Sequence, residues 1–451
     1  MTESGDWRNW QDFVIPKVLD ETTFIVNAFE AVGKNITVVP VDGGIDYMFN
    51  EGEILVREQH LDRVLEILGL EREPDRIQEV IERVVLLSLR DSRHPLVFNA
   101  LNAIDAELPR GSATPNHVVT VAGGHGSNCP ATEPEEVYYD IEPFPSVCHE
   151  GGAGVLVYMA DTGLLRDAAT HPWLEYGVRM GDPAEDCDPP SPMTGSPPDI
   201  PPYTGHGTFV AGVLRSMAPD AHIVVTNAFS VAGSELESNL VPRLDAALSL
   251  GMDIFHLTIA CLSRYDLPLI AFEEWLWHLR QQGAVCVAAA GNSGLDRKTW
   301  PGAFRGVIAV GALGSDWRGR ATFSNFGSWV DVYAPGRDLV NAFATGRYRC
   351  HIYPYGQEVQ PDGSIGQVRD FYGMAKWSGT SFSTPIVSGL IAARMSRTGE
   401  TARQAAAALL AEAREHAIPG VGPILLPRCH GHNEPKHRDD CCGHGHRHDC
   451  C

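Results

Sequence analysis

The sequence lacks a continuous apolar run long enough to span a bilayer. Its N-terminus, MTESGDWRNWQDFVIPKVLDE, also lacks the basic start and apolar segment of a secretory signal. Basic residues are scarce. The chain has 35 Lys and Arg but 57 Asp and Glu, which gives a formal net charge of -22. Affinity for phosphate backbones comes mainly from Lys and Arg. We therefore expect a cytoplasmic location, with neither a membrane nor a nucleic acid as a partner.

A complete disulfide framework is also not indicated. The chain has 11 cysteines, an odd number, and five of them crowd the C-terminus. Without a secretory signal, we expect the six that are scattered through the body of the chain to be free thiols. These six are Cys129, Cys148, Cys187, Cys261, Cys286 and Cys350.

The 451 residues of the chain are more than one hydrophobic core usually holds. Changes in composition divide them into four regions. Residues 1–125 alternate strand-like and helix-like segments such as EILVR and EQHLDRVLEILGL, and predict a small α/β domain. Residues 126–153 are rich in Gly, Pro and acids and predict a linker. In residues 154–425, apolar runs such as GVLVYMA and AVCVAAA alternate with helical segments, which is typical of a mostly parallel sheet covered on both faces. Residues 426–451 form a Cys/His-rich tail.

Three short segments supply an acid, a base and a nucleophile. VLVYMADTG ends an apolar strand on Asp161, YTGHGTFVAGVL places His206 at the start of an apolar helix, and WSGTSFSTPIVSG places Ser381 at the turn into another helix. Each residue by itself has an ordinary structural explanation, as a turn residue, a core histidine or a helix cap. They are separated by 206 − 161 = 45 and 381 − 206 = 175 residues. Only a folded sheet could bring them together.

The segments ADTG, GHGTFVAG and SGTSFSTP resemble the three active-site motifs of the subtilisin-like serine peptidases, or subtilases, in the order found in that family. VAAAGNSG resembles the segment that carries the oxyanion asparagine, and the likeness covers about residues 150–415. The resemblance implies a subtilisin-like three-layer α/β fold with a mostly parallel central sheet, preceded by the small α/β domain. It also implies serine endopeptidase activity on polypeptide substrates, with no cofactor for catalysis.

Chemistry and resemblance together predict the role of each residue. A serine hydroxyl needs a base, so His206 is expected to take the proton of Ser381 and later to return it as an acid. Asp161 is expected to orient the imidazole and stabilise its protonated form. From the resemblance, Asn292 and the backbone N–H of Ser381 are the expected donors to the developing oxyanion. The alternative is a catalytically silent protein of the same shape that binds a partner or handles metal.

The resemblance further implies a cleft in which the substrate binds as an added extended strand. Two glycines of the family pattern are replaced here by Ala260 and Cys261, which could narrow the pocket for the cleaved residue. The residues expected to line the cleft are Thr258, Ile259, Ala260, Cys261, Ala290 and Gly291.

Many subtilases carry a prodomain that assists folding and blocks the cleft. Residues 20–122 have a suitable size and strand-helix alternation, so we expect the N-terminal region to inhibit the catalytic domain. Self-cleavage is then expected between about residues 115 and 150. The alternative is a permanently attached domain that serves another partner.

Metal binding is predicted at the C-terminal tail, because Cys and His offer ligands that suit zinc or another transition metal. The alternative is a disordered, oxidation-prone tail. GGHGSNC, residues 123–129, is a weaker candidate. Two polar segments, 181–203 and 341–375, are expected to be surface insertions, and GDPAEDCD in the first could hold calcium, although a solvated loop is favoured. The candidate ligands of the tail are Cys429, His430, His432, Cys441, Cys442, His444, His446, His448, Cys450 and Cys451.

Overall fold

A computed structural model describes residues 16–41, 44–121, 131–137, 142–189, 191–229, 232–351, 355–358, 360 and 366–428. Within these ranges, the α-helices are α1 (Pro16–Ala31), α2 (Leu61–Leu68), α3 (Val97–Asp105), α4 (His206–Met217), α5 (Glu237–Ala247), α6 (Ile270–Gln282), α7 (Thr380–Thr398) and α8 (Ala402–Glu415). The strands of the N-terminal region are β1 (Ile36–Val41), β2 (Gly44–Arg57), β3 (Ile77–Ile81), β4 (Val84–Ser88) and β5 (Ala113–Val121). The strands that follow are β6 (Glu135–Glu136), β7 (Leu156–Asp161), β8 (Leu164–Leu165), β9 (Val178–Met180), β10 (Cys187–Asp188), β11 (Asp199–Ile200), β12 (His222–Asn227), β13 (Ser234–Leu236), β14 (Ile254–Leu257), β15 (Ile259–Ala260), β16 (Val285–Ala289), β17 (Val307–Leu313), β18 (Val332–Pro335), β19 (Leu339–Arg349) and β20 (Val368–Trp377).

The N-terminal region folds as an antiparallel sheet packed against helices. Its strands follow the order β5-β2-β4-β3, and β1 also pairs with β2. In α2, Leu61, Val64, Leu65 and Leu68 recur at helical spacing and are all buried, so one face of the helix covers the sheet. The helix ends at Gly69 in a left-handed conformation, as its sequence predicts.

A seven-stranded parallel sheet forms the centre of the second region, in the order β18-β17-β16-β14-β7-β12-β9. Its strands are apolar on both faces, which β7 illustrates. Val157 and Met159 belong to a core shared with α4 and α7, whereas Tyr158 and Ala160 belong to a second core shared with α5 and α6. Because strand side chains alternate between faces, a continuous apolar run serves two helical layers. The predicted three-layer α/β arrangement with a parallel sheet is confirmed.

The two regions share a sheet. Strand β5 pairs antiparallel with β2 on its N-terminal side and also with β13 and β15, which belong to the second region. All nine residues of β5 are buried. The last strand of the N-terminal region is therefore held by main-chain hydrogen bonds on the surface of the second region.

The prediction that residues 341–375 form a surface insertion is wrong for most of their described part. Strands β19 and β20 pair as a long antiparallel hairpin, and its inner side chains Phe343, Tyr348, Phe371 and Trp377 are buried in the core around α4 and α7. The aromatic residues alternate with polar ones along each strand, which is the pattern of a sheet with one buried face. The prediction was based on the overall polar composition of the segment, which does not show this alternation.

The expectation of free thiols is also corrected at one position. Cys148 is disulfide-bonded, and its partner lies outside the described residues. Four other scattered cysteines, Cys187, Cys261, Cys286 and Cys350, are free and buried as expected, and Cys129 lies outside the described residues. Among the helices that the structure describes, none has the length and apolar composition required to cross a membrane.

Candidate active site

Asp161 ends the central strand β7 at the carboxyl edge of the parallel sheet, where α/β folds place their sites. Its Oδ1 accepts the backbone N–H of Thr162 at 2.7 Å, and its Oδ2 accepts the hydroxyl of Thr258 at 2.5 Å. Burial disfavours the charged carboxylate, but the neighbouring His206 and these hydrogen bonds outweigh that effect and hold the pKa of Asp161 below its usual value. The carboxylate is therefore an anion at neutral pH.

His206 is the first residue of α4, and the glycines on both sides of it are required by the geometry. Gly205 has φ +87°, and a β-carbon there would meet the ring of Phe343 at 2.8 Å. A β-carbon at Gly207 would lie 2.2 Å from the carbonyl oxygen of Gly163. Only glycine allows the helix to begin this close to the end of β7. The motif GHG thus brings the imidazole to the carboxylate.

The imidazole and the carboxylate form a buried hydrogen-bonded pair. Nδ1 of His206 lies 2.6 Å from Oδ1 of Asp161, and both side chains are fully buried. An ionised carboxylate can only accept, so Nδ1 donates and Nε2 is the nitrogen that remains to bind a proton. Nε2 of His206 has no hydrogen-bond partner among the described residues. The pair therefore presents one unoccupied basic nitrogen.

Ser381 lies in the first turn of α7, and the residue that follows it packs against the same imidazole. The ring of Phe382, the following residue, is 5.3 Å from the ring of His206 between centroids. Helices α4 and α7 pack so closely that a β-carbon at Gly389 would lie 2.6 Å from Cβ of Met217. Like Nε2 of the histidine, Oγ of Ser381 is buried and without a hydrogen-bond partner among the described residues. The helix that carries Ser381 thus packs against the helix that carries His206.

Asn292 is held beside the same helix start. Its Oδ1 accepts two hydrogen bonds from Thr380, one from the backbone N–H at 2.8 Å and one from the hydroxyl at 2.9 Å. The same threonine hydroxyl accepts the N–H of Gly291 at 3.1 Å. Because Oδ1 is fixed in this way, the Asn292 amide cannot flip without losing both bonds, and its Nδ2 donor faces away from Thr380.

The predicted cleft residues lie together, but they serve different purposes. Ile259 and Ala260 form β15, opposite Val121 and Thr120 of β5. Sγ of Cys261 lies 3.4 Å from the carbonyl oxygen of Val118. The N-terminal strand thus contacts the residues predicted to bind substrate.

The other three predicted cleft residues are engaged within the second region. Thr258 donates its hydroxyl to Asp161 and so supports the carboxylate. The carbonyl oxygen of Ala290 accepts the hydroxyl of Thr299 at 2.6 Å and the amide of Asn325 at 2.9 Å. Gly291, at φ +95°, makes the turn that leads to Asn292. These contacts fix the loop that carries the predicted oxyanion donor.

No group of three or more His, Cys, Asp or Glu side chains that could hold a metal occurs among the described residues. In GDPAEDCD, Asp186 accepts backbone N–H groups of Asn227 at 2.7 Å and Asp182 at 2.6 Å, so its oxygens brace the protein itself. The tail from Cys429 to Cys451 and the segment 123–129 lie outside the described residues.

Sequence analysis missed several polar residues behind this site. Thr162 supports Asp161 through its backbone N–H and accepts the N–H of Gly207 with its hydroxyl, and Thr380 supports Asn292 through both its N–H and its hydroxyl. Both threonines lie within the quoted motifs. His256 also lies behind it: its Nδ1 is 2.9 Å from Oγ of Ser388 on α7, and burial lowers its pKa to about 3. Its strand is apolar, and nothing in the local sequence marks this histidine as part of the site.

Comparison with known proteins places this arrangement in a family. The sequence model of the subtilase family, Peptidase_S8, matches residues 152–445. A thermophilic serine proteinase of Bacillus sp. (strain AK1) is 31% identical over 253 residues, which is 54% of this chain and 52% of that protein. Subtilisin Savinase of Lederbergia lenta is 28% identical over 253 residues, 53% of this chain and 76% of that protein. The chain spans about half the length of the first of these relatives.

Solved structures show the same fold. Fervidolysin from Fervidobacterium pennivorans, described as a keratinolytic enzyme related to subtilisin, aligns with a TM-score of 0.55 at 19% identity, over 87% of this chain and 61% of that one. At this identity, the likeness concerns the fold alone.

Proposed function

Since the chain belongs to the subtilase family, we propose that it is a serine endopeptidase that uses Asp161, His206 and Ser381 as its triad. The proposal rests above all on the buried pair of His206 and Asp161, which leaves one basic nitrogen beside a buried serine hydroxyl. Such a pair can raise the nucleophilicity of a serine that would otherwise be too weak a nucleophile at neutral pH.

In the proposed reaction, Oγ of Ser381 attacks the carbonyl carbon of a peptide bond while Nε2 of His206 takes its proton. Asp161 stabilises the resulting imidazolium. Collapse of the tetrahedral intermediate breaks the C–N bond, and the same proton passes to the leaving amine. Water then repeats the sequence on the acyl-enzyme, so that the proton and the free serine are restored. Asn292 and the backbone N–H of Ser381 are the proposed donors to the oxyanion.

The proposal is tested with a fluorophosphonate probe and a casein-like substrate. Ser381→Ala removes one hydroxyl from a packed helix, so we expect wild-type melting behaviour, no labelling and loss of proteolysis by several orders of magnitude. Thr398→Ala, an exposed hydroxyl near the end of the same helix, is the matched control and should remain active. Folded wild-type protein that neither labels nor cleaves would favour either the alternative, a catalytically silent binding or metal-handling protein, or an enzyme locked as a zymogen.

We further propose that the N-terminal region inhibits the enzyme in cis. Strand β5 runs antiparallel between β13 and β15, as an extended peptide substrate would in strand addition. Asp161, His206 and Ser381 are all fully buried in this state, so part of the chain must move before a substrate can reach them, and we propose that this part is β5. Comparison of the intact masses of the wild type and Ser381→Ala tests whether the chain cleaves itself between about residues 115 and 150. Masses that differ only by the one oxygen atom of the substitution would argue against self-cleavage.

The Cys/His-rich tail is proposed, from its sequence alone, to bind a transition metal. A chain that ends after Pro427 should keep peptidase activity, because every proposed catalytic residue precedes that point, but should retain less Zn²⁺ or Ni²⁺ after dialysis. Elemental analysis of both proteins provides the measurement. Equal metal content would exclude the tail as the binding site.

A further inference from the structure

Asp188 is a second buried carboxylate beside the proposed triad, and the mechanism above does not use it. It follows Cys187 in β10, is 4% exposed, and pairs in register with Leu165 of β8. Its Oδ2 accepts two hydrogen bonds, one from the hydroxyl of Thr162 at 2.8 Å and one from the backbone N–H of Gly205 at 2.7 Å. The first donor follows Asp161 in the chain, and the second precedes His206.

The hydroxyl of Thr162 extends this network to the other side of the histidine. While it donates to Asp188, it accepts the backbone N–H of Gly207 at 3.0 Å. The backbone N–H of Thr162 also donates to Asp161. Both residues that flank His206 are therefore bound to a network centred on Asp188 and Thr162. The N–H groups at a helix start lack partners within the helix, so external acceptors of this kind determine where the helix begins.

The position of His206 relative to Asp161 thus depends on contacts outside the pair itself. Asp161 is the last residue of β7, whereas the imidazole belongs to the first residue of α4. Along the chain, Asp188 and Gly205 are separated by the segment between β10 and α4, which contains β11. Asp188 connects these elements directly. Burial raises the pKa of Asp188 to about 7, which agrees with a carboxyl group enclosed beside another carboxylate.

We propose that Asp188 is a positioning residue that, with Thr162, aligns the imidazole of His206 with Asp161 and Ser381. The proposal rests on the triad proposed above. It also gives the acidic segment GDPAEDCD a role that requires no calcium. Asp186, in the same segment, accepts hydrogen bonds from the backbone N–H groups of Asn227 and Asp182, and neither of these donors flanks His206.

The test compares Asp188→Ala, which removes both acceptor oxygens, with Thr162→Val and the double variant in the full chain. Each protein is incubated until its activity is constant, its active sites are titrated with a fluorophosphonate, and kcat is expressed per titrated site. Since small misplacements of catalytic groups can reduce rates by about 100-fold, we expect kcat to fall on the order of 10- to 100-fold in each single variant, with little change in KM. The double variant should lose much less than the product of the two factors, because one network is broken in both.

Two further variants separate positioning from general stability. Thr162→Ser keeps the hydroxyl and should restore most of the kcat lost in Thr162→Val. Asp253→Ala is the matched control, because Oδ2 of Asp253 accepts the N–H of Leu156 at the opposite end of β7, at 2.9 Å. It should leave kcat per titrated site unchanged even if it lowers the melting temperature.

Unchanged kcat per titrated site in Asp188→Ala, or an equal loss in the Asp253 control, would overturn the proposal. If Asp188→Ala fails to fold, the comparison of Thr162→Val with Thr162→Ser decides it, because these variants change one methyl or hydroxyl group. Absence of labelling in the wild type would instead contradict the proposed peptidase function.

Discussion

Val119, in the middle of β5, offers a direct test of whether the N-terminal strand closes the cleft. Its side chain is fully buried, in a cluster with Ala160, Leu257 and Ile259 of the second region. Val119→Ala removes two methyl groups from that contact. At about 0.8 kcal/mol for each buried carbon, with a small further term for the cavity, the docked state should lose about 2 kcal/mol.

This loss can be measured as the rate at which Ser381 becomes accessible. Ser381 is fully buried, so a fluorophosphonate should react with the full chain only when β5 has left the cleft. If opening limits labelling, about 2 kcal/mol corresponds to a labelling rate about 30-fold faster than in the wild type. Val32→Ala is the matched control: the same substitution at a residue that is 59% exposed, which should leave the rate unchanged.

The reasoning would be refuted if Val119→Ala folded normally and were labelled at the wild-type rate. Equal acceleration by Val32→Ala would also contradict it, because the effect would then reflect general loosening of the N-terminal region. Circular dichroism melting of each protein before labelling distinguishes docking from unfolding.

Three further predictions concern the site. Asn292→Ala should lower kcat by about 10² to 10³ with little change in KM, since an oxyanion donor acts mainly on the transition state, and a pure KM effect would assign it to substrate binding. Cys261→Gly should increase the hydrolysis of peptides with a large residue before the cleaved bond relative to alanine peptides, and an unchanged ratio would remove Cys261 from the pocket. The pKa of Asp188, raised by burial from 3.8 to about 7, means that the folded state favours the neutral form. Its contribution to stability is therefore present below about pH 4 and lost as pH rises towards 7, so the melting temperature of Asp188→Asn should improve relative to wild type across that range. A difference independent of pH would show that Asp188 has an ordinary pKa.

Local sequence patterns were sufficient to predict the layers of the fold and to identify the three proposed triad residues. Two-sided apolar runs predicted parallel strands such as β7, because such a strand must be covered on both faces. The motif YTGHGTFVAGVL predicted a helix start at His206, which is where α4 begins, and the structure adds that no β-carbon fits at Gly205 or Gly207. These features depend on residues within a few positions of one another, so their signal is present in one sequence.

Composition was a weaker guide where two segments form one element. The polar segment 341–375 contributes to the hairpin of β19 and β20, and each strand buries its aromatic face only because the other is paired beside it. Disulfide formation at Cys148 was likewise invisible from residue counts. In both cases the outcome depends on a partner that residue counts do not identify.

By itself, then, the sequence determined the family, the layered fold and the residue types of an acid, a base and a nucleophile. Only the tertiary structure decided that β5 pairs with β13 and β15, although Thr120 and Ser234 are more than a hundred positions apart. It also decided that Asp188, within a segment predicted to be a solvated loop, turns its carboxylate to Thr162 and Gly205. The physical reason is that periodicity records which face of a strand or helix is buried, whereas the partner on that face is set by the packing of all the elements together.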